Sequence, residues 1–222
     1  TGVAVLVAWG LIDAFASGDG LRLAGYVFGQ LEHSGVSNPV TAVLLNFRAY
    51  DTLLELAVIL TTVLGILTLA PARPGYKPAG PVMYGLTRGL APLLVLVAGY
   101  LLWIGAQAPG GAFQAGAVLA AAAVLVRLAG YDSAGLPAAG LLRWILVAGV
   151  GVFLLVGLLV GLAGLTVLQY PPAWAGSLIL LIETAATLSI AAGLALAFVG
   201  GRPAGWYEPE APDAGAKGEG RR

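Results

Sequence analysis

Long apolar runs, separated by short polar or proline- and glycine-rich stretches, dominate the pattern along the chain. A helix needs about 20 apolar residues to cross a bilayer core of about 30 Å. Six runs approach or reach that length and predict transmembrane helices at residues 3–16, 52–70, 83–105, 112–128, 141–165 and 177–199. The first run is short and has no basic segment before it, so we interpret it as a permanent span and not as a signal peptide.

A different pattern fills residues 21–32, where apolar and polar side chains alternate at helical spacing. It predicts an amphipathic helix on the membrane surface or on another subunit. Asn38 and Pro39 then suit the cap and first position of a helix. An unbroken helix over 39–70 would be about 48 Å long, more than a membrane needs. We therefore expect a bend or a packed entry segment near residues 46–51.

Helix-breaking residues divide the chain into two units. Residues 71–81 contain four prolines and cannot be helical throughout. We interpret them as a linker between a unit at 1–70 and a four-helix unit at 82–200. The tail at 201–222 has little to bury and is expected to be mobile.

Composition agrees with this pattern. Hydrophobic residues make up 59% of the chain and charged residues 10%, with a mean hydropathy of +0.92. These values predict an all-α integral membrane protein with about six transmembrane helices and one amphipathic surface helix. The zero net charge argues against nucleic-acid binding. With no cysteine and one histidine, we expect no thiolate or histidine-rich metal site.

Lysines and arginines predict the orientation of the spans. Basic residues occur around the linker, between the fourth and fifth predicted spans, and in the tail, whereas the loops at 107–111 and 166–176 have none. By the positive-inside rule, the linker, the tail and the N-terminus lie in the cytoplasm. Arg22 and Arg48 then lie on the outer side.

Two acids interrupt the apolar runs. Glu55 is followed up to residue 70 only by apolar residues, Thr and Gly, and Glu183 lies inside the last run. A charged residue at a helix centre costs about 2.5–3.5 kcal/mol, so such acids face a bundle interior or a wet cavity. The pair predicts cation movement through a membrane bundle.

Arg48 and Asp51 precede Glu55 at helical spacing, and on one helix the three fall within an arc of roughly 60°. They either contribute to an ion path with Glu55, or Arg48 and Asp51 only form an ion pair at the membrane surface. His33 either relays protons or only donates and accepts hydrogen bonds.

Glu183 has hydroxyls nearby in sequence. Together with the acid they would suit a hard cation such as sodium, or Glu183 instead pairs with a lysine of another subunit. The hydroxyl residues are Thr184, Thr187 and Ser189.

The segment Pro109-Gly110-Gly111-Ala112-Phe113-Gln114-Ala115-Gly116 opens the fourth span. A glycine-rich turn at a helix start can bind an anion, but this one lacks the Lys and Ser of a nucleotide-binding loop, so we favour a packing role. Ala112, Gly116 and Ala120 form a ridge of small residues, as do Gly157 and Gly161. Such ridges predict close helix contact, including contact with other subunits.

Segments 32–35 and 38–55 resemble the MbhE-type domain of the large Mrp antiporter subunit and of membrane-bound hydrogenases. Residues 82–200 are similar to the MnhB (MrpB) domain, with its proline- and glycine-rich turn before a small-residue helix and an acid early in its last span. The positions that match are Arg48, Asp51, Glu55, Pro109, Gly110, Gly111, Phe113, Gly116 and Glu183. Those that depart are Asn46, in place of an acid, and Ala49, Leu54, Ala112 and Ala115, in place of glycines.

The resemblance implies a non-enzymatic subunit of an Mrp-type Na+ (or other monovalent cation)/H+ antiporter in a prokaryotic inner membrane. It implies other Mrp- or hydrogenase-type membrane subunits as partners, no redox cofactor on this chain, Glu55 in the ion path and Glu183 near it. Three alternatives stay open: the same module in a membrane-bound hydrogenase or other respiratory-type complex, a purely structural adaptor, and an independent solute carrier.

Overall fold

The chain folds into α-helices joined by short connections. The computed structural model describes residues 2–17, 20–69, 80–131, 135–165 and 167–200, and this part of the chain contains no strand. A 3₁₀ turn (Leu31–His33) follows α2, and a π-helical turn (Val43–Phe47) separates α3 from α4. The helices are α1 (Gly2–Ser17), α2 (Gly20–Gln30), α3 (Pro39–Ala42), α4 (Ala49–Thr68), α5 (Pro81–Ile104), α6 (Ala112–Leu128), α7 (Ala139–Leu162) and α8 (Ala175–Val199).

Four helices, α4, α5, α7 and α8, are long and apolar enough to cross a membrane. Helices α1 and α6 are apolar but shorter, with 16 and 17 residues. Each predicted span therefore corresponds to a helix, and the amphipathic segment forms α2. The chain is an all-α, multi-pass membrane protein, as its pattern predicted.

Helix α8 lies at the centre of the bundle. Helices α6 and α7 pack along it, α5 packs on the far side of α6, and α4 contacts both α7 and α8. Small residues on α8 allow this close approach: a Cβ at Gly193 would lie 3.0 Å from a Val63 methyl of α4. Large apolar side chains such as Trp103 and Leu158 are exposed on the outside, as lipid contact requires.

The small-residue ridge of α6 faces this central helix. A Cβ at Gly116 would lie 2.8 Å from Cγ2 of Ile190, so α6 and α8 nearly touch there. The expectation of a subunit contact is wrong for this ridge, because its neighbour belongs to the same chain. At Gly157 and Gly161 the nearest atoms belong to Leu168 and Val167 of the following loop.

The helix that begins at Pro39 is interrupted before α4, as predicted from its excess length. After α3 the chain forms the π-helical turn. Arg48, which follows it, has non-helical backbone angles of φ −128° and ψ 38°. Its N–H donates to the carbonyl of Val43 at 2.8 Å. The Thr52 hydroxyl donates to the carbonyl of Leu44 at 2.6 Å. These bonds satisfy carbonyls that the irregular turn would otherwise leave unpaired.

The two predicted units contact each other closely. The amide side chain of Asn38 donates to the carbonyls of Gly105 and Ala108 at 3.1 and 2.8 Å. The Thr41 hydroxyl donates to the same Gly105 carbonyl at 2.6 Å. One hydrophobic core joins residues of both units, including Leu56 of α4 with Phe153 and Ile182 of the second unit. The predicted linker lies outside the described residues apart from residues 80 and 81, and so does the tail at 201–222.

Candidate functional site

A cavity of about 240 Å³ lies where α4, α6 and α8 begin, beside α3 and the π-turn. Both membrane acids line it, although they are 128 positions apart in the sequence. Gly111 lines it from the turn before α6, and its polar lining side chains are those of Thr41, Thr52, Glu55, Gln114 and Glu183.

Glu183 is the buried member of the pair, with 3% of its surface exposed. Its carboxylate accepts a hydrogen bond from the backbone N–H of Ala112, at the first turn of α6. A helix N-terminus stabilises negative charge there through its free N–H groups and its dipole. The turn before α6 therefore binds an acidic group after all, and that group is the chain's own Glu183 carboxyl. Packing was the favoured interpretation, and the structure shows both roles.

Gly111 makes this contact possible. Its φ of +103° is a conformation that residues with a side chain rarely adopt. A Cβ at this position would lie 2.7 Å from Oε1 of Glu183. The backbone can approach the carboxylate closely only because this residue has no side chain.

Glu55 lies at the open side of the cavity and is exposed on the surface of the chain. Thr52, one turn earlier on α4, is buried and lines the same cavity. Among the described residues, no hydrogen bond or ion pair holds the Glu55 carboxylate. The cavity thus has one fixed carboxylate at its inner wall and one free carboxylate at its edge.

Arg48 and Asp51 pair with each other at 2.7 Å, with 60% and 44% of their side chains exposed. The pair therefore matches the second alternative given above, an ion pair at the membrane surface. Exposed ion pairs contribute about 0–1 kcal/mol to stability. Neither residue lines the cavity. Arg48 lies before the first residue of α4 and has non-helical backbone angles. The prediction that it shares one helix face with Asp51 and Glu55 is therefore wrong for Arg48. A part for these two residues in the ion path stays a prediction.

His33 occupies the exposed 3₁₀ turn after α2 and does not line the cavity. Its neighbour Ser34 is buried and donates to the carbonyl of Leu31 at 2.7 Å. The proton-relay role of His33 stays a prediction.

The hydroxyls expected around Glu183 do not line the cavity. Each donates instead to a backbone carbonyl of α7 or α8 at 2.7 Å. A hydroxyl that donates still has lone pairs that can bind a cation, so a cation site formed by these hydroxyls and the carboxylate stays a prediction. They are Thr184, Thr187 and Ser189.

Sequence reasoning missed Thr41 and Thr52 as cavity residues, and it did not single out Gln114, whose exposed side chain also lines the cavity. The position of Thr52 could have been predicted, since it lies three positions before Glu55 and thus on the same helix face. Thr41 had none, because its place depends on how α3 packs against the second unit.

Chemically, the cavity offers carboxylate, hydroxyl and amide oxygens, which hard cations prefer. No group of three His, Cys, Asp or Glu side chains that could hold a metal ion occurs among the described residues. Two carboxylates with few further ligands suit a proton or a monovalent cation that must leave again.

Comparisons with known proteins identify a related domain and a similar fold. The family model described as a domain related to the MnhB subunit of the Na+/H+ antiporter matches residues 82–202. A chain in the structure of the Mrp complex from Dietzia sp. is similar in fold, with a TM-score of 0.61 and 23% identity. The similarity covers 90% of the present chain and 26% of that chain, so this chain spans about a quarter of its length. A search of curated proteins found no match.

Proposed function

Because the chain belongs to the family of domains related to the MnhB subunit of the Na+/H+ antiporter, we propose that it is a membrane subunit of a multisubunit Mrp-type cation/proton antiporter. Residues 1–70 form its MbhE-like part and 82–200 its MnhB/MrpB-like part. The complex sits in a prokaryotic inner membrane and exchanges Na+ or another monovalent cation for H+. This chain moves ions with its partners and catalyses no reaction.

One observation carries the proposal: Glu55 and Glu183 line the same cavity, each from a different unit. A carboxylate away from bulk water is stable when a proton or a cation neutralises it. A proton and a cation therefore compete for the same oxygens, and this competition is the chemical basis of exchange. Glu183 is held by the N-terminus of α6, whereas Glu55 is free to change partners.

The exposure of Glu55 supports a multisubunit assembly. An acid facing lipid from a spanning helix costs about 2.5–3.5 kcal/mol. A neighbouring subunit that covers this side of α4 removes that cost and closes the cavity into a path.

The same module within a hydrogenase or other respiratory-type complex would use the same two carboxylates. Purification of the intact complex separates the two cases, since redox subunits would accompany the chain only in the second.

The experiment compares Glu55→Gln, Glu183→Gln and the control Asp51→Asn in the assembled complex. We expect cation-dependent proton movement in everted vesicles to fall to about a tenth of wild type or less in both glutamine variants, because an amide can neither bind the proton nor neutralise the cation. The control removes an exposed, already paired acid and should lose much less.

Assembly is measured for each variant by co-purification of the other subunits. Full exchange by either glutamine variant in a complete complex would contradict the proposal and favour the structural adaptor. Exchange by this chain reconstituted alone would favour the independent carrier.

A further inference from the structure

A second cavity, of about 420 Å³, forms a groove between α5, α6, α8 and the segment that leads into α7. Its walls are almost entirely apolar, with Ala91 and Pro92 of α5 facing Ala123 of α6. Two of its walls reach the outer surface, since Val95 and Leu188 are 51% and 44% exposed. The groove thus opens sideways, toward the hydrocarbon of the membrane.

Arginines lie at one end of the groove. Arg88 precedes the lining residues Ala91, Pro92 and Val95 by three, four and seven positions, so it shares their face of α5. Arg127 lies four positions after lining residue Ala123 and shares its face of α6; it is buried and also interacts within the chain. Both arginines lie at the end of the bundle where α5 begins and α6 ends.

Two tyrosines lie with Arg88 at this end. The Arg88 guanidinium lies 5.9 Å from the ring centre of Tyr84, and that ring stacks on Tyr131 at 6.0 Å. A side-chain hydrogen bond with Tyr84 raises the pKa of Tyr131, so its hydroxyl is neutral at physiological pH. Neutral phenols at the membrane interface donate hydrogen bonds and add no negative charge.

The charged residues that the structure describes at this end of the bundle are all arginines. This end carries Arg88, Arg127 and Arg143, and among the described residues there it carries no Asp or Glu. Asp132 follows Tyr131 in the sequence and lies outside the described residues. By the positive-inside rule this end faces the cytoplasmic leaflet, which holds the anionic lipids.

We propose that the groove binds one anionic phospholipid. An acyl chain fills the apolar groove, and the phosphate lies at Arg88 and Arg127 with the tyrosine hydroxyls beside it. The arginine and tyrosines at one end of the groove favour a phosphate headgroup over the apolar side of a partner's transmembrane helix. Basic pockets between transmembrane helices are a known way to recognise anionic headgroups. The proposal is independent of the ion path, since the groove shares no lining residue with that cavity.

The test uses the full chain purified in detergent, with phosphatidylglycerol, phosphatidylcholine or inorganic phosphate added. Native mass spectrometry counts bound lipids, and thermal unfolding reports stabilisation. We expect one phosphatidylglycerol to be retained in preference to phosphatidylcholine, and Arg88→Gln to weaken its binding about fivefold. Arg88→Lys should restore most of the preference, because it keeps the charge.

Arg143→Gln is the matched control. Arg143 lies at the same end of the bundle, but it is two positions from lining residue Ile145 and so points about 160° away from it around α7. This variant should bind the lipid as wild type does. Ala123→Phe fills the groove and should abolish retention, with Ala91→Leu as the substitute if that variant does not fold.

Equal retention of both lipids would overturn the proposal, as would equal weakening by Arg88→Gln and Arg143→Gln. Stabilisation by inorganic phosphate alone would show a site for a free anion and not for a lipid. Unchanged binding in the groove-filling variants, or a cross-link from the groove to a partner helix in the assembled complex, would also contradict it.

Discussion

The carboxylate of Glu183 is stabilised within the bundle by the backbone of another helix. It accepts from the Ala112 N–H while 3% of the residue is exposed. A buried acid without such a partner would be strongly disfavoured. The geometry of one turn, including the positive φ of Gly111, therefore decides whether this acid can remain in place.

Gly111→Ala tests this dependence. The new methyl group would collide with Oε1 of Glu183, and the backbone conformation at φ 103° and ψ −172° adds a strain of about 1–3 kcal/mol for a residue with a side chain. We expect a lower unfolding temperature together with reduced exchange, since the carboxylate must move. Both are measured on the purified complex and on vesicles that contain it.

Gly99→Ala in α5 provides the comparison, because a Cβ there would meet nothing within 4 Å. Alanine favours a helix by about 1 kcal/mol over glycine, so this control should be neutral or slightly stabilising. Wild-type stability and exchange in Gly111→Ala would show that the turn does not position Glu183.

At the scale of elements, the contact between α6 and α8 determines where the cavity is. Gly116 allows the two backbones to approach, and Glu183 and Ile190 stand along the facing side of α8. Close backbone approach between small residues is a main source of helix association in membranes. If α6 moved outward, its first turn would no longer reach the carboxylate.

Gly116→Leu should impair assembly before it affects ion chemistry. The leucine would overlap Ile190, and overpacking of this kind costs about 1–3 kcal/mol or more. The yield of complete complex and its unfolding temperature are the measurements.

Gly89→Leu on α5 adds the same side chain where a Cβ would meet nothing within 4 Å, and it should be tolerated. If the Gly116 variant purifies with full stoichiometry and unchanged thermal stability, the assigned packing of α6 is wrong.

For the whole molecule, the contacts between the two units bear on whether the linker is needed to hold them together. Asn38 and Thr41 bond to the loop before α6, and the two units share one core. Such contacts can hold two separate chains together, and a tether then only raises their effective concentration.

We therefore expect residues 1–76 and 77–222, expressed as two polypeptides, to restore a complex with measurable exchange at a reduced yield. Asn38→Ala should lower the yield more in the divided protein than in the intact one, because only the intact chain keeps its tether. Co-purification of the fragments measures both effects. Fragments that insert in the membrane but do not associate would show that the linker itself fixes their arrangement.

Local patterns were sufficient for much of this protein. Apolar runs predicted every long helix, the excess length after Pro39 predicted the break before α4, and the cost of a charge in lipid singled out Glu55 and Glu183. These inferences depend on properties of neighbouring residues, such as hydrophobicity, helical period and the effect of proline.

Only the tertiary structure decided which groups meet. The convergence of Glu55 with Glu183, the place of Thr41 at their cavity and the contact of Gly111 with a carboxylate all join helices far apart in the sequence. The same is true of the partner of the Gly116 ridge, which is α8 and not another subunit. An apolar helix has no strongly polar face, so its periodicity does not specify which side meets which neighbour. That choice depends on the packing of side chains across the whole bundle.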